Sequence, residues 1–326
     1  RTHSVECGPG VAFIGHMDTV FPAGTAGARP FRLDRAADRA TGPGVTDMKA
    51  GIVQNMFVAR ALKELGLMDV PMTLTFSPDE ELGSPSTTPI LGEQLNGAQA
   101  VICTEPGYPG GGVTLERKGS GHMFLEIMGI SAHAGRCYQD GASAILELAH
   151  KILAFDAYVD LDHDTTVNTG LVNGGTSANS VAPNASARIH ITFKTLEAGR
   201  RLAEVLRAET AKNHIPGTSS HISGGVRLPP LVPTPGVMKL FSLAEQAGEL
   251  IGYSVHSAPS KGTAESGYCS SVLGVPAICS MGPEGSNLHS ADEYMIPSTF
   301  VPRCKLAALT AIQAARAFAP AAKVSL

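Results

Sequence analysis

Seven residues in short polar segments could do chemistry together: His16 and Asp18 in HMD, Asp47 in TDMKAG, Glu80 and Glu81 in PDEELGS, Glu105 in TEPG, and His289 in NLHSADEY. All fall at strand–loop junctions on the carboxyl side, the edge where ligands bind in an open α/β sheet. Two imidazoles and three or four carboxylates converging there match a borderline-to-hard divalent cation, and imidazole favours Zn²⁺. A pair of such ions needs a bridging carboxylate, with one histidine and one terminal carboxylate each, and the set divides that way. Singly, the residues have plainer readings. His16 could be a satisfied histidine after a strand, Glu80-Glu81 a solvated loop, and Asp47 the N-cap of the helix that follows. Only their joint placement points to a metal site.

The elements that must position them can be read from the apolar pattern. Residues 11–15 are a short apolar run ending at His16, which reads as a buried parallel strand. From Asp47 the pattern turns helical, with Ile52, Met56, Val58, Ala59, Leu62 and Leu65 three and four apart. Residues 72–76 and 100–104 are further strands, and this alternation with helices predicts a parallel sheet. The texture then changes. Residues 122–130 alternate like a half-exposed antiparallel strand, 141–155 form a helix, 165–172 and 186–194 strands, and 196–212 another helix. That β-α-β-β-α order predicts a small two-layer α+β insert. Residues 224–235, with Pro229-Pro230, read as the linker back. A helix over 237–250, a strand over 276–280 and a helix over 303–318 complete an α/β fold interrupted by an α+β domain. The expected division is 1–117, 118–223 and 224–326.

Composition narrows the function classes. The 326 residues suffice for two domains, and 25 basic against 29 acidic side chains give a net charge of −4. That balance argues against nucleic acid or an anionic membrane surface as a partner, and no apolar run approaches membrane-spanning length. Six cysteines (Cys7, Cys103, Cys137, Cys269, Cys279, Cys304) lack metal spacing and read as thiols in apolar surroundings. Ser266 and Ser270-Ser271 lack a GxSxG elbow, and the glycines of 107–112 lack the Lys-Ser/Thr ending of a P-loop. Asp162-His163-Asp164 reads as a solvated turn, and His122, His150 and His190 have no carboxylate partners by pattern. The chain begins with Arg at an already buried strand, so upstream sequence is expected. A cytoplasmic location is expected, any signal peptide belonging to that upstream part.

The ordered set HMDTV, GPGVTDMKAG, PDEELGS, TEPG, SAHAG and NLHSADEY resembles the co-catalytic zinc hydrolases that include acetylornithine deacetylase, succinyl-diaminopimelate desuccinylase, aminoacylase and carboxypeptidase G. The resemblance runs from about residue 8 to the end. It implies that Asp47 bridges two metal ions, that His16 and Glu105 hold one, and that Glu81 and His289 hold the other. Zn²⁺ is expected, with Mn²⁺ and Co²⁺ compatible. Asp18 would accept a hydrogen bond from the second ring nitrogen of His16, and Glu80 would be the general base. His133 of SAHAG would meet the oxyanion, from the insert of a partner subunit, and Asn179 in GGTSANSVAP would contact substrate. Arg117-Lys118 would lie at the hinge. A homodimer through the insert is implied.

Three departures bear on substrate. Relatives carry an Arg in a D-V-R strand where this chain has His190-Ile191-Thr192. They carry an Asp in a turn where it reads Lys261-Gly262-Thr263-Ala264-Glu265-Ser266-Gly267, with Ser266 near the Asp position. They also carry a Pro after SAHAG, where this chain has Arg136-Cys137-Tyr138. Arg227 is a candidate for a substrate carboxylate, since a planar bidentate donor suits that task, or it packs at the linker. The expected activity is amide hydrolysis of an N-acyl amino acid or short peptide, nearest to the glutamate carboxypeptidase branch. A deacylase of the acetylornithine or aminoacylase type is the alternative within the family, and a non-catalytic zinc binder the alternative outside it.

Overall fold

The structure, a computed structural model, describes residues 8, 10–67, 71–260 and 262–319. Cys7 and Lys261 lie outside them. The chain divides into two compact units, one made of the residues up to Arg117 together with those from Leu231, the other of Lys118–Pro230.

The first unit is built on a four-stranded parallel sheet. Val11–His16 is fully buried, as its unbroken apolar run requires, and lies between Met72–Ser77 and Ala100–Cys103, with Ala277–Ile278 beyond the latter. Helices Ala50–Glu64, Pro235–Ile251 and Pro297–Ala317 pack on one another and on the sheet, and Thr87–Leu95 packs with Ser266–Ser271 as a second group. Thr234 caps Pro235–Ile251 by accepting the Val237 N–H, with Pro235 pre-set for the first turn. The helix after Asp47 approaches the strand ends closely. A Cβ at Gly51 would stand 2.0 Å from the Thr104 carbonyl oxygen, so only glycine lets that helix meet the strand leading to Glu105.

A second sheet of this unit was not legible in the pattern. Arg32–Asp34, Arg39–Thr41, Tyr294–Met295 and Gly285–Ser286 form short antiparallel pairs. Strands of two or three residues carry too little alternation to register.

The second unit is a four-stranded antiparallel sheet in the order Ser219–Leu228, Gly119–Met128, Asn184–Phe193, Thr166–Gly174. Met123, Leu125 and Ile127 point into a core shared with Leu148 and Phe155 of helix Ala144–Asp156 and with Leu202 and Leu206 of Leu196–Thr210. Ser143 and Thr195 cap these helices by accepting the N–H groups of Leu146 and Ala198. The reading of 224–235 as a linker is corrected here: 219–228 is a strand, paired along its length with Gly119–Met128. Its sequence, SSHISGGVRL, buries only Ile222 and Leu228, so periodicity hid it. The division therefore falls after Pro230 and not after residue 223. None of the described helices is long and apolar enough to cross a membrane.

Candidate metal centre

Parallel strands end together, and their carboxyl ends deliver four of the singled-out groups. His16 is the last residue of its strand. Glu80 and Glu81 open a short 3-10 turn after Met72–Ser77, and Glu105 follows Ala100–Cys103 by two residues. Asp47 stands in the turn entering helix Ala50–Glu64, where its peptide bond to Met48 is cis. His289 arrives from the loop before Tyr294.

Asp47 is the centre of this group. Its Oδ1 lies 3.1 Å from His16 Nε2 and its Oδ2 lies 3.2 Å from His289 Nε2. His16 Nε2 is also 3.5 Å from Glu105 Oε1, and His289 Nε2 is 3.5 Å from Glu81 Oε2. A tetrahedral Zn²⁺ with ligand bonds of about 2.0–2.2 Å separates its donor atoms by roughly 3.3–3.6 Å. The observed edges of 3.1–3.5 Å are close to that spacing. One ligand atom each of His16, Asp47 and Glu81 lie within 4.8 Å of one another. Glu81 Oε1 is buried and finds no hydrogen-bond partner among the described residues. A buried carboxylate oxygen with a free lone pair is costly unless a cation takes it.

The titration behaviour follows from this crowding. Burial alone would push the His16 imidazole down. The Asp47 hydrogen bond and the charges of Glu105, Glu80 and Asp47 outweigh it and raise His16 to about 11. His289 is raised by its hydrogen bond to Asp47. Asp47 is pushed up by burial but held well below the ordinary carboxylate range by its two imidazole partners. Burial raises Glu80 to about 8, with Glu265, Glu81 and Asp47 adding to it, and it raises Glu81 and Glu105 as well. The cluster draws protons onto itself, which is the charge deficit a divalent cation relieves.

Asp18 acts somewhat differently from the expectation. His16 Nδ1 lies 3.2 Å from the Asp18 main-chain oxygen and 3.4 Å from its carboxylate. Either acceptor fixes the proton on Nδ1 and turns Nε2 toward Asp47. The Asp18 carboxylate oxygens also take the backbone N–H groups of Glu80 and Glu81, at 3.2 and 3.0 Å, so one residue orients three others.

Two carboxylates of this site were not singled out as such. Glu293 is buried and accepts three backbone N–H groups of the Asp47 turn. Glu265 is buried, accepts the Ser84 hydroxyl at 2.7 Å, and acts on Glu80 by its charge. Both lie in segments read for other residues, and an acid held by backbone amides leaves no spacing signal.

His133, Asn179 and Arg227 belong to the second unit. His133 Nδ1 accepts the Gly135 N–H at 3.1 Å, so the neutral ring carries its proton on Nε2. The Asn179 carbonyl accepts the Ala134 N–H at 3.0 Å, and its side-chain oxygen accepts the Ser177 hydroxyl at 2.6 Å. The two loops are thus one structure, bordering a cavity of about 540 Å³. Arg227 sits at a bulge of strand Ser219–Leu228, and its charge helps hold His122 below the ordinary histidine range after burial. His122 and His190 face each other across paired strands, ring centroids 5.1 Å apart. In the 162–164 turn, Asp164 pairs with Lys118 and Lys194, and His163 with Asp160.

The chain is similar to known proteins along most of its length. The profile of peptidase family M20/M25/M40 matches residues 12–313. Carboxypeptidase G2 of Pseudomonas sp. (strain RS-16) is 25% identical over 302 residues, covering 91% of this chain and 71% of that protein. A probable carboxypeptidase of Paracoccidioides lutzii is 30% identical over 252 residues, covering 70% of this chain and 54% of that protein, so the chain spans about half that relative's length. Among solved structures, an M20 family metallo-carboxypeptidase from Sulfolobus solfataricus superposes with a TM-score of 0.73 at 17% identity, covering 96% of this chain and 87% of the other.

Proposed function

The chain belongs to peptidase family M20/M25/M40, and from that premise we propose a metal-dependent hydrolase that cleaves the amide bond of an N-acyl amino acid or short peptide. Within that class we favour a glutamate carboxypeptidase. The observation that carries the reading is that Asp47 lies 3.1–3.2 Å from two imidazoles, each of which is also 3.5 Å from a second carboxylate, Glu105 for His16 and Glu81 for His289. Those residues would hold two divalent cations, Zn²⁺ foremost, with Mn²⁺ or Co²⁺ compatible with the same donors. When bound, the cations supply Lewis acidity toward the scissile carbonyl and lower the pKa of water at the site.

The chain's own groups do the rest. Glu80 is buried beside the donors without belonging to either set, and its raised proton affinity suits a general base. Its carboxylate takes a proton as the water oxygen bonds to the carbonyl carbon, and returns it to nitrogen as the C–N bond breaks. Asp18 keeps His16 oriented and, through the amides of Glu80 and Glu81, keeps base and ligand in register. His133, whose Nδ1 accepts the Gly135 N–H and leaves Nε2 to donate, is the donor for the oxyanion, contributed across a homodimer. Asn179 contacts substrate from the loop beside it, and Arg227 takes a substrate carboxylate.

The homodimer, formed through the second unit, belongs to the same proposal. Strand Thr166–Gly174 is an edge of its sheet and exposes Leu171 and Val172. Helix Ala144–Asp156 exposes Ile145, Leu146 and Leu153. A cytoplasmic location is also proposed, on the unpaired thiols of Cys103, Cys137, Cys269, Cys279 and Cys304. A deacylase of the acetylornithine or aminoacylase type is the second reading, favoured by the absence of Arg at positions 190–192.

The test is amine release by the zinc-loaded protein from N-acyl amino acids and from glutamyl and aspartyl amides, with and without chelator. Chelator-sensitive release of an acidic amino acid is expected. Release of neutral or basic amino acids moves the assignment to the deacylases, and zinc uptake without any release leaves a non-catalytic binder.

A further inference from the structure

We infer that Glu293 is a positioning residue for the metal centre, its carboxylate gripping the backbone of the Asp47 turn so that the two Asp47 oxygens face different imidazoles. The inference rests on the two-cation reading above and concerns how the bridge between the cations is held. Its basis is register. Tyr294 pairs with Thr41 and Met295 with Ala40 in antiparallel strands, so the residue before Tyr294 lies beside the chain that continues past Thr41 into the turn. There the buried Glu293 carboxylate accepts Gly44 N–H on Oε2 at 2.8 Å, and Thr46 and Asp47 N–H on Oε1 at 2.8 and 3.0 Å. Three converging amides are strong, directional partners for a buried anion. The turn adopts this shape because Gly44 takes the left-handed conformation, φ 71°, which a side chain would resist.

The arrangement ties two distant ligands together. Glu293 lies four residues after His289, so one short segment carries a metal-facing imidazole and grips the amide of the residue facing it. The strand Gly285–Ser286 presses on the same turn, where a Cβ at Gly285 would stand 2.4 Å from Thr46 Oγ1. Asp47 therefore has little freedom to rotate toward one imidazole at the expense of the other. A carboxylate ligand shared by two cations needs this constraint, since a drifting bridge serves one ion and loses the second.

Glu293→Gln keeps one oxygen and turns an amide NH₂ against backbone N–H groups. Metal-free full-length wild type and E293Q are titrated with Co²⁺, following visible absorption and heat. The wild type is expected to take up two equivalents. E293Q is expected to bind the first at near wild-type affinity and the second 10–100-fold more weakly, as outer-partner losses do, with an altered cobalt spectrum and a cooperative metal-free melt at lower temperature than wild type, since a buried amide NH₂ then faces N–H donors. Wild-type affinities and spectrum in a folded E293Q overturn the inference. If E293Q does not fold, Glu293→Asp carries the same test, because it keeps the charge but cannot reach all three amides. A wild type that takes up no Co²⁺ removes the two-cation reading itself, and the inference with it.

Discussion

At the scale of single residues, the site separates groups by what surrounds them. His16 and Glu80 are both buried at the carboxyl edge of the sheet, yet His16 is turned by Asp18 onto Asp47 while Glu80 stands outside both donor sets. The separation predicts different mutant phenotypes. Glu80→Gln should lower kcat by about 10²–10⁴-fold, the usual weight of a general base, while the metal content of the purified protein stays at the wild-type level. Turnover assays paired with metal analysis check this, and loss of metal from E80Q would instead make Glu80 a ligand. Glu265 and Glu293 show a second lesson. Buried acids satisfied by hydroxyls or backbone amides sit behind the reacting groups and set their geometry.

At the scale of elements, the second unit contains a charged pair in its core. Glu147 and Lys151, one turn apart on helix Ala144–Asp156, are fully buried with Oε1 and Nζ 3.0 Å apart. Glu147 Oε2 also accepts the N–H groups of His214 and Ile215, and Lys151 donates to the carbonyls of Glu209 and Lys212. The pair thereby fastens the end of helix Leu196–Thr210 to its neighbour. Burial would raise the Glu147 carboxyl, but the Ile215 amide and the Lys151 and His214 hydrogen bonds hold it below the ordinary range. A carboxyl lowered on folding contributes stability above its unfolded value, near 4.5, and that contribution is lost as pH falls through the folded value. Glu147→Gln, which leaves a buried ammonium short of its partner, should cost roughly 3–5 kcal/mol near neutrality. Thermal melts from pH 7 to pH 3 should show the gap between wild type and E147Q narrowing below about pH 4.5. A gap independent of pH would mean that packing, not charge, carries the effect.

At the scale of the whole molecule, the proposed assembly can be tested apart from the chemistry. Edge strands with exposed apolar side chains invite pairing with a second copy. Leu171→Lys on strand Thr166–Gly174 should shift the protein from dimer to monomer in sedimentation equilibrium while the metal-free melt changes little. If His133 acts across the dimer, the monomeric variant should also lose amide hydrolysis and retain metal uptake. A monomeric variant with full turnover would place the oxyanion donor within one chain.

Much of this protein can be read from the order of its residues, because strong local patterns carry it. Apolar runs marked the parallel strands Val11–His16 and Ala100–Cys103, the alternating Met-Thr-Leu-Thr-Phe marked Met72–Ser77, and the polar residues just past them marked the edge where a site must lie. Type and spacing alone nominated His16, Asp47, Glu80, Glu81, Glu105 and His289, and the structure brings them together. Tertiary structure decided what has no local signature. The strand Ser219–Leu228 exists because Gly119–Met128 offers it a ladder of hydrogen bonds, not because its Ser- and Gly-rich sequence favours a strand. The short pairs of Arg39–Thr41 with Tyr294–Met295 depend on contacts some 250 residues apart in the chain. Glu265 and Glu293 gained their roles in the same way, since an acid acquires its partners only when folding brings distant amides and hydroxyls to it.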